Sequence, residues 1–161
     1  MIDKLAFPLL LAAAVGSGLI GGLFFAFSSF IMRAFDRLPA AQAIAAMQSI
    51  NVTIINPLFF LAFFGTAVAA LLLFGVALLD DSRSSAAFTI AGAGLYLAGS
   101  ILVTMALNVP LNNQLAAGTL PGPGLASQWQ YYRTAWTHWN HVRTVATLLA
   151  SGAFVTGAWL R

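Results

Sequence analysis

Four long intervals of this chain, 5–32, 38–79, 84–132 and 144–160, contain no Asp, Glu, Lys or Arg. A helix crosses a bilayer core with about 20 apolar residues, so each interval is long enough to supply a span. The two middle intervals exceed one span, and their Pro, Asn and Gln residues mark where helix is expected to leave hydrocarbon. Spans are therefore expected near 5–32, 51–79, 86–107 and 142–159.

Composition excludes the main alternatives. The chain is 60% hydrophobic and 7% charged, whereas a water-soluble domain carries roughly a quarter charged residues. The apolar runs are continuous and rich in Ala and Leu, unlike the alternating ten-residue strands of a membrane barrel. The expected fold is all-α: a single integral membrane domain over 1–161, built as an up-down four-helix bundle with an interfacial amphipathic helix before the fourth span. The first span is long and interrupted by Ser and Gly, which reads as a retained helix rather than a secretory signal. A multi-pass protein of a bacterial inner membrane is expected, in contact with membrane lipid. Lys4, Arg83 and Arg161 on one side against Arg33, Arg37, Arg133 and Arg143 on the other leave its orientation undecided. Seven basic residues and a net charge of +3 are too few for a nucleic-acid surface. With no Cys there is no thiolate metal site, disulfide or cysteine nucleophile.

Polar residues gather at one end. Gln48, Asn51 and Asn56 sit at the start of the second span, Asn108, Asn112 and Asn113 at the end of the third, and Asn140, His141 and Arg143 at the start of the fourth. In an up-down bundle these ends share one side. The other side holds little beyond the turn Asp80-Asp81-Ser82-Arg83. Two readings stand: separate helix caps, with Asn108 closing the third helix before Pro110, or a shared pocket, since polar groups at lipid depth need partners or a wet cavity.

Helical spacing aligns Ser17, Gly21, Phe24 and Ser28 in the first span and Ser100, Thr104 and Asn108 in the third, two stripes expected to face inward. Ser17/Gly21 and Gly18/Gly22 are small-residue pairs suited to close helix packing, and they permit a homo-oligomer. After a turn over 118–124, the segment 126–140 reads as an amphipathic helix leading into the fourth span. Trp129, Trp136, Asn140 and Arg143 share one face of it, while His138 and His141 lie toward another. Arg143 either snorkels to headgroups or holds an anionic oxygen with its guanidinium fork. Trp136 is either part of an aromatic belt or a wall for a planar ligand. The two histidines lack further ligands for a metal set, and a neutral imidazole serves as base without one. No phosphate-binding loop, dinucleotide fingerprint, nucleophile elbow or zinc-protease motif is present. Ala91-Gly92-Ala93-Gly94-Leu95 is a packing feature, and no cofactor or metal is called for.

Four stretches carry a family resemblance: Gly21-Gly22-Leu23-Phe24-Phe25-Ala26-Phe27-Ser28, Ala46-Met47-Gln48-Ser49-Ile50-Asn51, Asn108-Val109-Pro110-Leu111-Asn112, and Trp136-Thr137-His138-Trp139-Asn140-His141-Val142-Arg143-Thr144. In this order they resemble the anthrone oxygenase family of small membrane proteins. The resemblance implies a four-span helical protein, some of whose relatives oxidise an anthrone to an anthraquinone with molecular oxygen. An anthrone-type oxygenase would need a base, donors for an enolate oxygen and an apolar slot for a flat ring system. The candidates are His141 as base, with Arg143 and Asn140 beside it. The ligand-binding candidates are Phe24, Ser28, Gln48, Asn51, Asn108, Asn112 and Trp136. The ligand is then a planar aromatic or quinone-like molecule. The alternative is a non-catalytic membrane protein that binds a quinone, isoprenoid or lipid.

Overall fold

The computed structural model describes residues 2–79 and 83–161, so Asp80, Asp81 and Ser82 of the expected turn lie outside the described residues. Among the described residues there are five continuous helices and no strand. Helix α1 covers 2–35, α2 Ala40–Thr53, α3 Pro57–Ala77, α4 Arg83–Ala117 and α5 Leu125–Trp159. Among the described residues, three stretches, Leu5–Phe35 of α1, Pro57–Ala77 and Arg83–Ala117, are long and apolar enough to cross a membrane. The expected fourth stretch, 142–159, is not among them, because Arg143 and Thr144, Thr147 and Thr156 lower its hydropathy.

Three boundaries differ from the sequence expectation. The second span does not begin at residue 51. Residues 40–53 form a separate helix of 14 residues, too short to cross a bilayer. Extended Pro39 sets its start, and the Asn56-Pro57 pair sets the start of α3. Asn56 Oδ1 accepts from Phe59 N at 3.0 Å while its amide donates to Thr53 O at 3.1 Å. Pro57 then occupies a position where no N–H is needed.

The third helix does not stop before Pro110. It passes through π-helical turns over Leu95–Leu102 and Thr104–Asn108, and α-helical geometry resumes at Val109. Pro110 falls in the first turn after this change of register, where its missing N–H costs least. Termination comes instead at Gly118, whose φ of 66° is the left-handed conformation that glycine adopts without a Cβ penalty.

The expected interfacial helix and the expected fourth span are a single helix of 35 residues, α5, roughly 50 Å long. Nothing between 126 and 159 breaks helical geometry, since the chain there contains no Pro and its glycines come late.

Helix α5 packs along α1 and α4 and also meets α2. Along α1 its contacts run in opposite sequence order: Ser151 Oγ donates to Ala14 O at 2.8 Å, Leu148 lies on Gly21, and Asn140 Nδ2 donates to Phe24 O at 2.8 Å. Along α4 the order is again reversed, with Ser85 Oγ donating to Gly157 O at 3.0 Å, Phe154 over Gly92, Ala146 over Gly99, and Asn108 Nδ2 donating to Trp136 O at 3.1 Å. Helix α3 meets α1 where Thr66 faces Gly16, and meets α4 where the Tyr96 hydroxyl donates to Phe63 O at 2.9 Å. Alanines 13, 14, 67, 70, 93 and 150, filled in by Leu10, Leu73, Tyr96 and Phe154, form the core at this end. Small side chains there admit close backbone approach, the packing mode of helices without a water-driven core. Less than half of each apolar stretch is buried, so the outward faces remain Leu, Phe and Val.

Two glycines give a paired test. A Cβ at Gly99 would overlap Ala146 Cβ, whereas one at Gly94 meets nothing within 4 Å. Gly99→Ala is expected to destabilise by about 1–3 kcal/mol. Gly94→Ala is neutral or stabilises by up to about 1 kcal/mol. Thermal unfolding of both variants in one detergent checks the difference.

Candidate functional site

At the end of the molecule opposite the alanine core, the helices enclose a cavity of about 630 Å³ with walls from all five helices. Its lining is mostly aromatic and aliphatic, with Phe24, Phe59, Phe63 and Trp136 prominent and Met47 and Ile50 supplied by α2. Several rim residues are also exposed on the outside, among them Val52, Ile55, Phe60 and Met105, so the cavity opens through an apolar mouth.

One charge reaches this cavity. Arg143 is 4% exposed, and among the described residues it has no carboxylate partner. Neutral groups hold it: Nη2 donates to Asn140 Oδ1 at 2.7 Å and Nη1 to Thr104 Oγ1 at 3.2 Å. Its guanidinium carbon lies 4.2 Å from the Phe24 ring centroid and 5.0 Å from that of Trp136. Cation–π contact with desolvated rings compensates part of the burial, by about 2 kcal/mol or more.

The Asn140 side chain fixes this arrangement. Its Nδ2 donates both to Phe24 O and to Ser28 Oγ, the latter at 2.7 Å, which leaves Oδ1 aimed at the guanidinium. Thr144 supports it by donating to Asn140 O at 2.8 Å and pairing with Ser28 Oγ at 2.9 Å. Ser28 lies in the π-helical segment Phe27–Ile31 of α1 and Thr104 in that of α4. Each wide turn adds a residue to the local repeat and rotates a hydroxyl toward α5. Behind the cavity Trp129, Tyr132 and Trp136 stack in succession, with ring centroids 5.9 and 6.3 Å apart. Burial pushes the Tyr132 phenol above its ordinary range, so it stays a neutral hydroxyl and donates to Asn112 Oδ1 at 2.8 Å.

Two N–H groups on lining residues, Arg143 Nε and Trp136 Nε1, are buried without an acceptor among the described residues. Buried donors are ordinarily paired, so these two are unmet hydrogen-bonding capacity in the cavity wall. Among the described residues no three metal-ligating side chains come together. The donors suit an anionic or carbonyl oxygen at the edge of an apolar, flat molecule.

Of the residues singled out from sequence, Phe24, Gln48, Asn51, Asn112, Trp136 and Arg143 line the cavity. Gln48 is also tied to the wall, its amide donating to Leu115 O at 2.9 Å. Asn140 stands behind Arg143, and Asn108 is buried against Trp136 O without lining the space. Ser28 and His141 lie elsewhere, in a second hollow on the outer side of Asn140. The imidazole therefore does not share a chamber with the guanidinium: on a straight α5, positions 141 and 143 point about 160° apart. Thr104, Phe59 and Phe63 belong to the site and were not among the candidates. The signal for Thr104 was its place on the Ser100, Thr104, Asn108 stripe, and for the phenylalanines their i,i+4 spacing.

The family model for anthrone oxygenase matches residues 59–153, more than half of the chain. The chain belongs to the anthrone oxygenase family. The match includes Thr104, Trp136, Asn140 and Arg143, while Phe24, Ser28, Gln48 and Asn51 precede it. No curated protein and no solved structure matches the chain.

Asn140→Ala removes the partners of Phe24 O, Ser28 Oγ and Arg143 Nη2 together. It is expected to cost at least about 2 kcal/mol, since a buried charge loses an acceptor. Adding Arg143→Met to Asn140→Ala should cost less than the sum of the two changes, and a double-mutant cycle by thermal unfolding reads that coupling.

Proposed function

We propose that the protein is a multi-pass membrane protein whose α1, α3, α4 and the second half of α5 form an up-down four-helix bundle, with α2 and the first half of α5 at the interface. In this reading the cavity takes a planar polycyclic phenol or anthrone from the membrane and promotes its oxidation by molecular oxygen to a quinone. The observation that carries it is the buried Arg143 guanidinium, without a carboxylate, held between Phe24 and Trp136 on the wall of an apolar chamber. Family membership supports the reaction class.

The chemistry follows from what such a wall stabilises. An anthrone loses a proton from the ring carbon opposite its carbonyl, and the negative charge moves to the carbonyl oxygen. Arg143 supplies a fixed positive charge on the cavity wall, and that charge favours the anion over the ketone. The electron-rich ring then reduces oxygen itself. A C–O bond forms at the deprotonated carbon, giving a hydroperoxide. Loss of the second hydrogen of that carbon and cleavage of the O–O bond leave a carbonyl and one water, so anthrone and oxygen become anthraquinone and water. The cavity lining includes neither carboxylate nor imidazole. The first proton accordingly goes to water, and the protein's contribution is to acidify the substrate and hold it flat among the phenylalanines.

Oxygen uptake and quinone absorbance, measured on protein purified in detergent with an anthrone, test this. Arg143→Met is expected to lower turnover by about a hundredfold or more. Arg143→Lys should retain an intermediate rate, because the charge survives without the planar fork. His141→Gln locates the base: full turnover assigns the proton to water, and a large loss assigns it to the imidazole. Anthrone binding with no oxygen uptake by the wild type would make the cavity a binding site without catalysis.

A further inference from the structure

The second hollow, about 340 Å³, lies between the end of α1 and the middle of α5, on the far side of Asn140 from the cavity. Its charges do not cancel. Asp36 is engaged twice, accepting from Arg133 Nη1 at 2.8 Å and from Trp129 Nε1 at 3.3 Å. Arg33 lines the same hollow and has no ion-pair partner among the described residues. Arg133 Nε and Thr137 Oγ1 are buried there without any partner. His138 and His141 line the same hollow. One unneutralised guanidinium surrounded by spare donors fits a single anionic group with several acceptor oxygens.

The surface leading away from the hollow is apolar. From His141 along α5, Val145 and Leu149 follow at one and two turns and are exposed. Helix α1 runs the opposite way, so moving back from Arg33 to exposed Phe25 is travel in the same direction. A polar seat thus gives way to an exposed hydrocarbon face at one level on two adjacent helices, and this order matches a phospholipid with its phosphate above its acyl chains.

We propose that this hollow binds the phosphate of one anionic phospholipid, whose chains lie on Phe25, Val145 and Leu149. The proposal rests on the membrane reading given above. A headgroup that carries its own cation, such as choline, is disfavoured by Arg33, whereas phosphatidylglycerol brings only the negative charge.

Lipid retention tests it. Protein purified from nanodiscs containing both phosphatidylglycerol and phosphatidylcholine is analysed by native mass spectrometry. The wild type is expected to keep one phosphatidylglycerol in preference to phosphatidylcholine. Arg33→Gln should reduce that preference about fivefold, and Thr137→Val should also reduce it. Arg37→Gln, a basic position outside the hollow, should not. Equal retention of the two lipids, or equal effects of Arg33→Gln and Arg37→Gln, overturns the site. Displacement of the lipid by excess inorganic phosphate would assign the hollow to free phosphate and overturn the lipid assignment. A chain recovered in the aqueous fraction without detergent sinks the membrane reading and the lipid site together, whereas a membrane-bound chain that fails the lipid test sinks the site alone.

Discussion

An arginine buried without a carboxylate governs this structure. The desolvation cost of a guanidinium amounts to several kcal/mol, and here neutral groups answer it: an amide oxygen, a hydroxyl and two aromatic faces. Those groups come from three helices, Phe24 on α1, Thr104 on α4, and Trp136 and Asn140 on α5, so the charge can be accommodated only when the three meet in one register. Asn140 is the joint. Its amide spends both hydrogens on α1 and its oxygen on Arg143, which couples helix packing to the position of the cation.

The π-helical turns belong to the same solution. Ordinary α-helical spacing carries a polar stripe slowly around a helix, and a wide turn changes its phase locally. In α1 this occurs at Ser28 and in α4 at Thr104, the two hydroxyls that touch the Asn140 and Arg143 side chains. The wide turn in α4 also lets the helix continue past Pro110 as far as Ala117, which brings Asn112 to the cavity wall and within reach of Tyr132.

Charge-free intervals made the long apolar helices legible, because the cost of ionised groups in hydrocarbon leaves a gap in the sequence that no local preference can imitate. The face shared by Trp129, Trp136, Asn140 and Arg143 was legible for a similarly simple reason: a helix without Pro keeps its phase, and all of these residues are buried. The ends of elements were less so. Pro110 carries the same local signal whether it ends a helix or follows a π turn, and only contact with α5 distinguishes the outcomes. Helix α2 was hidden because its Ala-rich sequence, 40–53, reads as the approach to a span. Its burial against Leu111, Leu115 and Tyr132 depends on segments sixty or more residues away. His141 drew attention as a titratable residue beside Arg143 in sequence, yet neighbours on a helix diverge, and it faces the other hollow.

Helix α2 is joined to α3 by three residues, Ile54 to Asn56, and to the end of α4 by apolar contact and one side-chain hydrogen bond from Gln48. It supplies Met47, Ile50 and Asn51 to the cavity, while the hydrogen bonds of the Arg143 guanidinium go to Thr104 on α4 and Asn140 on α5. The machinery that holds the charge and the panel that sets the shape of the chamber are thus separate pieces of chain. Redrawing one short helix would therefore change the size and shape of the chamber, while the electrostatics on the opposite wall stay as they are.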